Sequence, residues 1–270
     1  MKGWQIFAHS VRQVFGNLGG ALRVSGVLFA LQVLVLFLAG KFFAAAVYGR
    51  PSFLGTIVGS LAVTLVACLI GIWIAVGWHR FILLTEMPDV VPKMRLDRVV
   101  GYWGTSVLIG LIVSVAGLCA MWMVNAVPWR AWLPLGDPLS PSVRIMLLVL
   151  FCIIVIIPLG AFALRLATVL PGVALQGGLQ VTDGWDATKG EVWTFLALTT
   201  FAVVGTVLMG VPKDFIASYF GSVLAGQAYG VIMLWVQTMI GVSVLTTLYG
   251  HYIEKRPLDQ VCFSTSSKLV

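Results

Sequence analysis

"PSFLGTIVGSLAVTLVACLIGIWIAVGWHRFILLTEMP", residues 51–88, decides the fold class. From Pro51 to Trp78 it carries no charge. A helix needs about 20 apolar residues to cross the hydrocarbon of a bilayer, so this run suffices alone. It then breaks unusually. His79 and Arg80 interrupt it, the apolar turn Phe81–Leu84 resumes it, and Pro88 closes it. Similar endings occur at "ALRLATVLPG" (163–172) and "YGHYIEKRPL" (249–258).

The rest of the chain has the same character. Hydrophobic residues make up 60% of its 270 positions, charged residues 10%, and the mean hydropathy is +1.01, far from the soluble range. Further uncharged runs cover Val24–Gly40, Val99–Trp129, Ile145–Leu164, Val192–Pro212 and Phe215–Gly250. The first reaches spanning length once Leu22 is added and Lys41 snorkels. The last divides into a short surface element, Phe215–Leu224, and a span from about Gly226. An all-α integral membrane protein with six transmembrane helices is expected. Residues 1–20 would form an interfacial amphipathic helix, 21–258 the six-span domain, and 259–270 a flexible C-terminal tail. The first span, lacking a cleavage motif near its end, is expected to remain as a signal anchor.

Lys and Arg set the orientation. With the N-terminus inside, twelve of the 17 fall inside and five outside, namely Lys41, Arg50, Arg130, Arg144 and Lys213. Both termini are therefore expected on the cytoplasmic side. The net charge of +7 reads as membrane topology with anionic-lipid contact, not as a nucleic-acid footprint. Trp129 and Trp132, in an outer loop rich in proline, suit the outer aromatic belt.

In "MKGWQIFAHSVRQVFGNLGG" (1–20), Trp4, Phe7, Val11, Val14, Phe15 and Leu18 share one helical face, and Gln5, His9, Arg12 and Gln13 lie opposite. Such a helix lies flat in the interface or packs on the protein's own cytoplasmic face.

The three endings are nearly evenly spaced. Arg80 to Arg165 is 85 positions and Arg165 to His251 is 86; the lead-ins beginning at Val14 and Val99 share the offset. Three parallel copies of one helical hairpin would give this period. Each return span would bring a cation to the headgroups, where the helix macrodipole is negative. Pro88, Pro171 and Pro257 would then end the helices. On this reading Arg12, Arg23, Arg80, Arg95, Arg98, Arg165 and His251 bind lipid headgroups.

All ten acids fall in loops or at helix ends. With no carboxylate at mid-membrane depth, ion-coupled transport is disfavoured. Two amides, Gln32 and Gln237, lie mid-span and read as interhelical hydrogen bonding. The rival reading makes them the lining of an uncoupled transporter or channel gated near Pro158, which should kink the fourth span. Gly55–Gly59, Gly226–Gly230 and Ala67–Gly71 have close-packing spacing. Cys68, Cys119, Cys152 and Cys262 have neither metal nor redox spacing. His9, His79 and His251 are expected at the interface and form no zinc motif. Hydrolase and nucleotide-binding motifs are lacking, so no cofactor is expected and the chain reads as non-enzymatic. In the loop "LQVTDGWDATKGEVW" (179–193), Thr182 or Asp183 would cap a short helix carrying Trp185, with Gly190 ending it. A membrane enzyme would need Asp183, Asp186 or a histidine in a pocket at the inner surface.

"HSVRQVFGNLGGALRVSG" (9–26) and "GWDATKGEVW" (184–193) resemble segments of uncharacterised multi-span inner-membrane proteins of alphaproteobacteria. The cation-to-proline returns and the Trp185–Thr188–Gly190 loop also look like the membrane domain attached to some glycerophosphodiesterases. The resemblance implies a bacterial inner-membrane protein. The hydrolase domain of such enzymes has no counterpart here, so no catalytic residue carries over. The function expected is anionic-lipid binding by an accessory or assembly subunit of a membrane protein complex.

Overall fold

The computed structural model describes residues 2–48, 53–87, 91–126, 140–175 and 178–258, and the described residues are helical with short connections. Six helices are long and apolar enough to cross a membrane. The chain is an all-α, multi-pass membrane protein. The first three spans lie in the helices Leu18–Tyr48, Phe53–Leu84 and Leu96–Ala126. The fourth is composite, the fifth is Val192–Gly210, and the sixth is Val223–Tyr252. The first span packs on the second and the third on the fourth, whereas the fifth lies mainly against the fourth span and the N-terminal helix and touches the sixth less.

The outer surface is apolar, as lipid requires: Leu54, Leu61 and Leu118 are each more than 60% exposed. Hydroxyls within the spans turn back on their own helices, as Ser25 does to the Ala21 carbonyl and Thr199 to that of Phe195. A backbone carbonyl one turn back is the nearest acceptor when no water is present. The sixth span is the most central, with 39% of its apolar window buried against 6% for the third. Around it, Val24, Leu28, Ile74, Trp78 and Met239 join the first, second and sixth spans. Ile6, Ala161, Phe195, Leu198 and Leu248 join the N-terminal helix to the fourth, fifth and sixth.

The fourth span shows what Pro158 does. The expected break appears as a π turn at Cys152–Ile156, between helices Pro141–Phe151 and Ile157–Ala167. There the Ile157 N–H bonds the Cys152 carbonyl, five residues back. Pro158 has no N–H for Ile154, so the ladder is rearranged just ahead of it. Pro171 departs from expectation. The helix has already ended by Thr168–Val169, and Pro171 sits in the first turn of a new one, Leu170–Leu175. A fixed φ and a missing donor suit a first turn as well as they suit a stop. Pro257 follows the last helix, and Pro88 lies outside the described residues. So do Trp129, Trp132 and the tail 259–270.

The first and third hairpins end alike. Thr85 and Lys255, 170 positions apart and twice the sequence period, are the non-glycine residues with positive φ (55° and 59°) among those described. Each turns the chain out of a return helix through the left-handed conformation common after helix ends. The ends of all three return segments meet at Leu83, Leu175 and Tyr249.

Two of the small-residue pairs serve internal packing. Gly226 lies against Ala217 and the Lys213 carbonyl, and Gly230 against the Lys213 side chain. They seat the short helix Pro212–Tyr219, which corresponds to the expected surface element and starts slightly earlier. At the Ala67–Gly71 pair the backbone is open enough for the Gln32 amide to donate to the Ala67 carbonyl at 3.1 Å.

The N-terminal helix, Lys2–Phe15, is amphipathic and docks on the fifth and sixth spans. The face it buries is Gly3, Ile6, Ser10, Gln13 and Val14, while Trp4 and Phe15 are about half exposed. Gln13, expected on the polar outer face, is thus inside. Its Oε1 accepts from Ser243, whose hydroxyl also reaches the Ser10 carbonyl, and Ser10 shares a 3.0 Å bond with Thr247. Lys2 pairs with Glu191 at the start of the fifth span. Hydrogen bonds across membrane helices contribute roughly 1 kcal/mol each. Ser243→Ala should therefore lower stability by about 1 kcal/mol and speed backbone hydrogen exchange selectively across residues 2–15. Unchanged exchange there would show that the seam does not hold the helix.

Candidate functional site

The candidate site lies where the three return segments end, at the end of the bundle that carries the N-terminal helix. Its centre is Arg80. The apolar turn Phe81–Leu83 is buried, and Arg80 goes with it, only 9% exposed. Its donors are occupied. Nε and Nη2 form a fork with Glu86 at 2.9 and 2.6 Å, and Nη1 donates to the carbonyls of Ala174 and Leu175 at 3.2 and 3.4 Å. Those carbonyls end the helix Leu170–Leu175 and have no intrahelical donors. A planar guanidinium serves a carboxylate and a helix end together, which an ammonium does poorly.

Glu86–Met87 and Val91–Arg95, the described residues that follow the second span, form a strap. Pro92 is buried against Gly77, and its carbonyl accepts from Trp73 Nε1 at 3.1 Å. A Cβ at Gly77 would stand 3.1 Å from both Pro92 and Val24, so the close approach depends on glycine. Arg95 reaches Glu86 at 3.4 Å. Strap and second span enclose a cavity of about 340 Å³ lined by Val76, Gly77, Arg80, Glu86, Met87, Pro92, Lys93 and Arg95. Three cations face one carboxylate, above an apolar floor.

Arg165 is also buried, and its loop explains the "GWDATKG" motif. Its guanidinium lies 3.6 Å from the Trp185 ring centre, donates through Nε to Thr188 Oγ1 at 3.0 Å, and through Nη2 to the Trp185 carbonyl at 3.3 Å. Gly184 lets the short helix Val181–Ala187 lie against the Arg165 carbonyl, where a Cβ would come within 2.9 Å. The cap is Gln180 rather than Thr182 or Asp183, with Asp183 accepting from the Gln180 N–H at 2.7 Å. Gly190 turns the chain out at φ +82°. Asp186 pairs with Lys189 and lines an apolar cavity of about 650 Å³ between this loop and the third span.

The expected rim of headgroup-binding cations therefore divides. Arg12, Arg23 and Arg95 are exposed, and Arg98 is partly buried beside Asp97 at 3.0 Å. Arg80 and Arg165 turn inward to protein acceptors, because loop carbonyls and side chains distant in sequence offer them a better-matched partner than the headgroups. His251 is half-buried, with Nδ1 3.3 Å from the Arg256 carbonyl. Gln237 lines a separate, mostly apolar cavity of about 130 Å³ between the fifth and sixth spans, apart from Gln32.

His79 departs from the interfacial expectation. It is fully buried, with Nδ1 2.8 Å from Thr246 Oγ1 and Nε2 3.3 Å from the Tyr102 hydroxyl. Thr246 gives its own proton to the Val242 carbonyl, so Nδ1 is the donor and Nε2 accepts from Tyr102. The ring joins the second, third and sixth spans as a neutral link. A cation in the next position hid this from a sequence reading.

Comparison with protein-family models, with curated proteins and with solved structures finds no match.

Two outcomes follow from this geometry. Arg165→Lys should destabilise almost as much as Arg165→Gln, by roughly 1–3 kcal/mol, because neither retains the stack and both hydrogen bonds. Thermal unfolding in detergent measures it, and a near-neutral lysine variant would refute the clamp. The hydrogen bonds from Arg80 hold the Glu86 carboxyl below its ordinary range. A carboxylate depressed on folding stabilises at pH above its unfolded value, near ~4.3, and that contribution is lost as pH falls through the folded value. The thermal midpoint should be flat from about pH 7 to 5 and fall at lower pH, with a shallower fall in Glu86→Gln.

Proposed function

We propose that this chain is a non-enzymatic protein of the bacterial inner membrane, with both termini cytoplasmic. It binds an anionic lipid headgroup in the cavity bounded by Arg80, Lys93 and Arg95, and serves as an accessory or assembly subunit beside other membrane proteins. The observation that carries this reading is the cavity itself. With Arg80 committed to Glu86 and to helix-end carbonyls, a phosphate would meet Lys93 and the donors of Arg95 that its 3.4 Å contact with Glu86 does not use. Val76, Gly77 and Pro92 beneath them offer apolar surface to the glycerol and upper acyl carbons. The bias of twelve basic residues to five supports a cytoplasmic placement of this end. The separate settings of Gln32 and Gln237 favour lipid binding over a conducting path.

Each basic group near an anionic surface contributes about 1 kcal/mol. Lys93→Gln with Arg95→Gln should therefore weaken phosphatidylglycerol binding roughly 30-fold, while phosphatidylcholine binding is unchanged. Native mass spectrometry with defined lipids measures both. Equal retention of the two lipids by the parent protein would defeat the proposal.

A further inference from the structure

A second cavity lies at the end of the third hairpin, away from Lys93 and Arg95. It is small, about 90 Å³, and its lining includes His9, Gln13, Leu83, His251, Arg256 and Leu258. Three nitrogen-bearing side chains converge there from two parts of the chain. His9 comes from the N-terminal helix, and His251 and Arg256 from the end of the sixth span and the turn after it. We propose that this cavity is an oxyanion site that takes a single phosphoryl group, held by His9, His251 and Arg256.

His9 already bonds the Leu258 backbone and keeps one ring nitrogen for an occupant. The Nδ1 of His251 donates to the Arg256 carbonyl, which leaves Nε2 to accept the P–OH proton of a singly protonated phosphoryl occupant. Arg256 uses Nε on Glu254 at 2.5 Å and Nη2 on the Leu83 carbonyl at 3.4 Å, leaving Nη1. Gln13 has its Oε1 on Ser243 and keeps its NH₂ to donate. Nearby acids are already paired, Glu191 with Lys2 and Glu254 with Arg256. Arg12, one turn from His9, adds positive charge and is exposed. The volume suits one tetrahedral oxyanion and is too small for a nucleotide or a sugar phosphate. Planar anions would leave part of this converging donor set unused.

The phosphoryl group could belong to a lipid headgroup or to free phosphate, and one experiment separates the sources. The full chain, labelled with ¹⁵N in its three histidines, is placed in phosphatidylcholine nanodiscs. Inorganic phosphate is titrated into one sample, and phosphatidic acid is incorporated into another. Saturable movement of the His9 and His251 imidazole resonances is expected. Movement with phosphate assigns a soluble oxyanion; movement with the lipid alone assigns a headgroup phosphomonoester. His9→Gln or His251→Gln should raise the apparent Kd roughly tenfold. Lys93→Gln with Arg95→Gln should leave the shifts intact, which keeps this site independent of the lipid cavity. No shift with either ligand, or parent-like saturation read at the remaining histidine in both His9→Gln and His251→Gln, would overturn the proposal.

Discussion

The Arg80 guanidinium is the interaction on which the basic end of the bundle depends. It sits near the end of the second span, buried against the helix Leu170–Leu175 in which the fourth ends. Those terminal carbonyls must find donors, and water is scarce at that depth. One planar cation supplies them while gripping Glu86, so the strap after the second span and the end of the second hairpin are tied together. Arg256 acts similarly toward the Leu83 carbonyl. Each contact joins segments far apart in sequence, and together they bring the three return ends to the junction at Leu83, Leu175 and Tyr249.

This arrangement changes what a basic residue means in such a chain. A cation near a membrane helix end is ordinarily assigned to the headgroups, and Arg12, Arg23 and Arg95 are exposed enough for that role. Arg80 and Arg165 instead act as internal connectors, and by doing so define where the remaining charge collects. Lys93 and Arg95 border a cavity because Glu86 is held in place by Arg80. Trp185 and Thr188 are organised around Arg165, which gives the "GWDATKG" loop a structural reason for its composition.

The N-terminal helix belongs to the same assembly. Its polar seam of Ser10 and Gln13 against Ser243 and Thr247, together with the Lys2–Glu191 pair, anchors it to the fifth and sixth spans. Its exposed Trp4 and Phe15 are left on the outer side. That docking places His9 beside His251, so the small cavity of the third hairpin exists only because the N-terminal helix meets the end of the sixth span.

Much of the architecture was legible from residues alone. Uncharged runs of spanning length, the placement of the acids outside them, and the two separated amides follow from the energetics of hydrocarbon, which acts on composition and not on contacts. The spacing of Arg80, Arg165 and His251 marked the three return ends for the same reason. What tertiary structure decided was the partner of each cation, and with it the site. The Ala174 and Leu175 carbonyls are 94 and 95 positions from Arg80, and Thr246 is 167 from His79. Hydrogen bonding is short-ranged and directional, and a periodicity reports only which residues share a face. Whether a face meets lipid or protein depends on where the other helices come to rest.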